Sequence, residues 1–152
     1  MHVRDQIVAA TVELVKGTLP VTAGRVYPYG RVDWDQRSFP FAIVTAGTTR
    51  VQIEPGTGER IQVRETELTV SIHDVSYEDE DYSVAIGNMS AAVEKAMTRL
   101  EDEIPIGSTE TTGDTGVIDL DLDAAGLAFG SATTFAVVYY TLVGDVQRLH
   151  LP

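Results

Sequence analysis

Three aspartates at alternate positions, Asp119, Asp121 and Asp123, are spaced as if for chemistry. That spacing matches the first three ligand positions of an EF-hand calcium loop. The pattern then departs from such a loop. Its sixth position is Ala124, where a glycine makes the turn, and its twelfth is Gly130, where a bidentate Glu closes the site. The same spacing describes the outward face of a half-buried strand, because alternate strand residues share a side. The strand is the better reading, and a calcium-binding module stands as the alternative of another class.

The other candidates resolve similarly. The run Glu78-Asp79-Glu80-Asp81 holds adjacent carboxylates without fixed geometry, which suits a solvated linker and a favourable helix start. His73 stands beside Asp74, but successive strand residues point to opposite faces, so Asp74 is badly placed to orient the imidazole. An outward strand histidine is expected there rather than a general base. Gly56 and Gly58 belong to neither a G-x-x-x-x-G-K nor a G-x-G-x-x-G pattern, and no G-x-S-x-G occurs. Trp34, Tyr27, Tyr29 and Phe39 form an aromatic group suited to covering the core beside the first strand. With no cysteine, disulfides, thiolate metal sites and cysteine catalysis are excluded. No enzymatic activity, cofactor or metal site is expected.

Composition narrows the partners. The chain of 152 residues has 23 acidic against 11 basic side chains, a net charge of −12. Such a surface repels nucleic-acid phosphates and keeps the chain soluble. No stretch approaches the ~20 apolar residues of a membrane span, so a soluble chain without a signal peptide and without membrane contact is expected.

The elements that must position these residues follow from apolar periodicity. Leu68, Val70 and Ile72 alternate as one face of a strand. After the acidic linker, Tyr82, Ile86, Met89, Val93, Ala96 and Leu100 step by threes and fours along one stripe of a helix. That helix is on the order of 30 Å long and needs an apolar sheet beneath it. A second amphipathic helix runs from Val3 to Lys16, followed by a short extended piece ending at Pro28 and a polar loop over 29–38. Phe39 to Ala46 reads as a buried strand continued by Thr48 to Ile53, and the 54–59 segment as a turn. Gly107 to Gly116 and Gly126 to Thr133 read as loops, Ile118 to Asp123 as a half-buried edge strand, Phe135 to Val143 as a central strand, and Val146 to Pro152 as a tail. The expected architecture is α/β (α+β): one domain over 1–152, with a mixed or antiparallel sheet covered on one face by both helices.

This order of elements resembles the tail terminator (minor tail U-like) proteins of long-tailed bacteriophages. The residues carrying the resemblance are Arg25-Val26-Tyr27-Pro28, Phe39 to Ala46 leading into the Glu54–Arg60 turn, and Arg64 to Ile72. The helix from Asp81, Ile118 to Asp123, and Phe135-Ala136-Val137-Val138-Tyr139-Tyr140-Thr141 complete it. The resemblance implies a virion subunit that assembles as a homo-hexameric ring at the head-proximal end of the tail. There it caps the tail tube protein, stops tube growth and receives the head-completion or connector protein, while DNA passes through unbound. Head–tail joining (neck) proteins are the neighbouring alternative. Candidate contacts between subunits or with the tube are Arg25, Arg31 and Arg37, the turn residues Glu54, Glu59 and Arg60, and the acidic run Glu78, Asp79, Glu80 and Asp81. The 107–116 segment is a further candidate.

Overall fold

The computed structural model describes residues 1–29, 39–53, 60–75, 82–116, 118–120 and 128–150. In chain order the elements are α1 (Val3–Thr18), a 3-10 turn (Pro20–Thr22), β1 (Val26–Pro28), β2 (Phe41–Ile53), β3 (Ile61–Val75), α2 (Tyr82–Met97), α3 (Leu100–Glu103), β4 (Ser108–Asp114), β5 (Ile118–Leu120), β6 (Ala128–Leu142) and β7 (Asp145–His150). The strands make a mixed sheet in the order β1-β2-β3-β6-β4, with β5 and β7 also pairing β6. Only β1 and β2 run parallel; every other described pair is antiparallel. The α+β class expected from the sequence is the one observed.

One face of the sheet is apolar because its cross-strand rows are apolar. Val26, Ala42 and Ile72 share a row, and Val44 lies opposite Val70. Leu68 faces Ala46 on one side and Phe135 on the other. Helix α1 lies over β1 and β2, and α2 lies over β3 and β6. Between them Val8, Val15, Val93, Met97 and Leu100 close the core. The α1 start is capped by His2, whose Nδ1 accepts the Arg4 N–H at 3.0 Å.

Four expectations need correction. The long helix is interrupted: α2 ends at Met97, and the stripe resumes in α3 with Leu100 fully buried. Thr98 Oγ1 donates to the Lys95 carbonyl, and Arg99 N–H bonds Ala96 three residues back, which tightens and ends the last turn. Most of the 107–116 segment, Ser108 to Asp114, is a strand rather than a loop. Its threonines are β-branched, and its pairing on β6 outweighs the Ser/Thr/Gly composition that marks loops. Gly107 permits the entry: a Cβ there would stand 2.9 Å from the Tyr140 ring and 3.2 Å from the Val138 carbonyl. The third correction is at the start of β6. Ala128 to Thr133 is strand, held opposite the end of β3, and the buried Ser131 hydroxyl meets Ser90 of α2 at 2.6 Å. Lastly, the expected tail folds back as β7, with Gly144 at φ 84° in the turn.

A bulge in β2 changes which side its residues face. Ala46 pairs Leu68 but Thr49 pairs Thr66, so one extra residue lies in β2 and its later side chains change faces. Thr49 therefore joins the helix side, where its hydroxyl lies 2.7 Å from Thr66, which is 3.2 Å from the Tyr139 hydroxyl. This hydroxyl chain lets the sheet bury these three hydroxyls without leaving them unpaired.

Leu68→Ala should destabilise the fold by about 2–5 kcal/mol, since Leu68 sits at the crossing of three strands with no exposure. Tyr139→Phe should cost only about 0.5–1.5 kcal/mol, the worth of one hydrogen bond. Chemical denaturation of the two variants measures both, and equal losses would contradict this division of the core.

Candidate functional site

The face of the sheet turned away from the helices carries the accessible polar chemistry. Thr45, Thr69 and Thr134 form one cross-strand row. Glu67, Ala136 and Glu110 form the next, and Arg50, Glu65, Val138 and Ser108 the one after. Glu65, Glu67, Glu110 and Arg50 are all exposed. A depression of about 290 Å³ lies among Thr48, Arg50, Glu65, Glu67, Thr112 and Ala136. Gly47 opens one side of it, where a Cβ would come within 3.2 Å of the Glu67 carboxylate. These three rows hold three carboxylates, one guanidinium and several hydroxyls. These rows are built to repel or to hydrogen-bond.

At the β1 end the same face is aromatic. His73 stacks on Phe41 with ring centroids 4.9 Å apart and planes 20° apart, and Phe41 meets Phe39 at 5.1 Å and Tyr27 at 6.2 Å. His73 Nε2 lies 3.1 Å from Ser71 Oγ. The expected outward histidine does face away from the helices, but it is half-buried rather than solvated, because Phe41 covers it. Burial holds its pKa below the usual imidazole range. His73 and Asp74 do fall on opposite faces, since they pair Gly130 and Phe129 in turn. Of the expected aromatic group, Tyr27 and Phe39 come together here, Tyr29 is 47% exposed, and Trp34 lies outside the described residues.

The interface candidates are distributed unevenly. Arg25 is half-buried at the start of β1, where Nε donates to the Pro40 carbonyl and Nη2 to the Phe39 carbonyl, each at 3.1 Å. Two of its donors thus tie β1 to the approach of β2. Arg60 is exposed beside the β6–β7 turn, its carbonyl accepting the Val143 N–H. Arg31, Arg37, Glu54, Glu59, Glu78, Asp79, Glu80 and Asp81 lie outside the described residues, as do Asp121 and Asp123 of the calcium pattern. Asp119 is in β5, opposite Phe129. Among the described residues no group of three metal-ligating side chains forms, and no helix is long and apolar enough to cross a membrane. The acidic rows on the open face escaped sequence reading because they are assembled from β2, β3 and β4. The alternation of Glu65 with Glu67 was the local signal for them.

No protein-family model and no curated protein matches this sequence. Its fold is similar to that of a chain in the solved structure titled "Virion of native gene transfer agent (GTA) particle", with a TM-score of 0.52 and 15% identity. The match covers 86% of this chain and 92% of that one. At that identity the likeness is one of fold, and it extends over nearly the whole of both chains.

His73 and His2 together set an expected pH dependence. The His2 pKa is lowered by burial first and then by Arg4 and Arg64 nearby. Both imidazoles stay neutral in the fold where the unfolded chain already binds protons. Their contribution is complete above about pH 6.5 and is lost as pH falls through the lowered folded values. His73→Gln should therefore flatten the fall of the melting temperature between roughly pH 7 and pH 5. An unchanged slope would show that His73 does not take up its proton on unfolding.

Proposed function

We propose that this chain is a structural protein of a phage-like virion and, within that class, a tail terminator. The observation that carries the proposal is the fold-level match, over 86% of this chain and 92% of the other, to a chain from a virion particle. The order of strand and helix patterns along the sequence supports the finer assignment. On this reading residues 1–152 form one ring-subunit domain, and six copies close on the end of the completed tail tube. The ring stops tube growth and offers its other side to the head connector, and no reaction is involved.

The open face offers a surface for the channel. Glu65, Glu67 and Glu110 lie in adjacent rows with no described element over them. Turned inward, they would line the ring with negative charge, and DNA would slide past without binding because like charge repels its phosphates. The charge of −12 fits a surface that must not hold nucleic acid.

Deleting the gene tests the role directly: tails should overgrow or fail to join heads, and electron microscopy of lysates reads both. Tubes of normal length that still join heads would exclude a terminator. Glu65→Gln, Glu67→Gln and Glu110→Gln combined should slow DNA ejection from intact particles while leaving the ring assembled. Unchanged ejection would remove the channel assignment and leave the ring untouched.

A further inference from the structure

The sheet ends on both sides in strands whose outer edges lack a described strand neighbour, and the two edges differ in charge. β2 has β1 beside it only from Ala42 to Val44, and the Tyr29 N–H then bonds the Val44 carbonyl. From Thr45 to Ile53 no described strand lies on that side. Proteins usually blunt such an edge with proline or lysine. This one contains neither, and it exposes Val51 at 45% and Ile53 at 59%. β4 ends the sheet on the other side, paired with β6 alone among the described strands.

Charge distinguishes the edges. Arg50 lies on the β2 edge. The Tyr29 hydroxyl sits against both the Ala46 backbone and Arg4, which brings a second guanidinium to this edge. On the β4 side Asp114 is exposed, and α3 adds Glu101, Asp102 and Glu103. The Glu101 carboxylate accepts the Thr109 N–H at 3.2 Å, which sets this acid against the strand itself.

We propose that the β2 edge of one copy pairs with the β4 edge of a second copy, head to tail, so that the sheet continues across the subunit boundary. This deepens the ring reading and rests on it. Strand addition gives main-chain hydrogen bonds, and the opposed charges select the orientation. Pairing β2 with β2 would bring Arg50 toward its own copy and leave the acidic edge uncovered. Head-to-tail pairing serves both edges of every copy, and a heterologous interface of that kind closes into a ring when its rotation per subunit fits. Val51 and Ile53 are buried in it.

The absence of native cysteine makes thiol cross-linking a clean test. Full-length Val51→Cys and Thr111→Cys proteins are oxidised alone and mixed, free in solution and in assembled particles. The mixture should give a disulfide-linked pair containing one of each, and neither alone should do so. The double variant should give a ladder that ends at the ring number. Val51→Cys cross-linking to itself as readily as to Thr111→Cys would overturn the head-to-tail arrangement. No mixed product in either setting, while native mass shows a ring, would overturn edge pairing and leave the terminator reading standing. Mixed product from a protein whose deletion leaves tails normal would do the reverse. As a second measurement, Val51→Lys with Ile53→Lys should leave the melting temperature unchanged and reduce the native mass to that of a monomer. A persisting oligomer would contradict the proposal.

Discussion

The pairing of β3 with β6 is the constraint on which the rest depends. Every residue from Ile61 to Val75 has a partner between Leu142 and Ala128, in unbroken antiparallel register. A shift of one residue would send Leu68, Val70 and Ile72 to the open face and bring Glu65 and Glu67 under the helices. Burying those carboxylates unpaired would cost far more than the apolar rows gain. The register is therefore held by what it keeps out of the core as much as by what it puts in.

Everything else is arranged along that ribbon. β2 covers the outer side of β3, and β5, β4 and β7 in turn cover successive stretches of the outer side of β6. The helices cover one face only, and polar groups falling beneath them are matched to one another: Thr66 with Thr49 and Tyr139, Ser131 with Ser90. Arg64, on the same face, bonds Thr141 and Gln62. Thr66, Thr49, Tyr139, Ser131 and Ser90 thus meet partners across the sheet or on a helix, so the apolar cluster tolerates them.

A sheet with one covered and one open face is suited to a subunit that lines something. The open face presents carboxylates and threonine hydroxyls, while the edges present main-chain groups with opposite charge on the two sides. In the proposed ring these are separate duties: the face meets the channel and the edges meet the neighbours. Acidity on the face and complementarity at the edges then serve different ends within one net charge.

The sequence by itself determined the elements whose periodicity is local. The alternation of Leu68, Val70 and Ile72, the helical stripe through Ile86, Val93 and Ala96, and the apolar run from Phe135 all correspond to observed elements, the last with Phe135, Val137 and Tyr139 on the core side. Residues such as these are read from their near neighbours, because a strand repeats every two residues and a helix every three to four. Only the tertiary structure decided the segments whose conformation depends on a distant partner. Ser108 to Asp114 has loop-like composition and becomes a strand because β6 offers it an edge. His73 reads as solvated and is covered because the register sets Phe41 beside it. The open acidic face belonged to this second kind, since Glu67 and Glu110 are 43 residues apart in the chain and adjacent only through Ala136. Cross-strand rows bring together side chains that no local spacing relates, and so such a face becomes visible only when the sheet is formed.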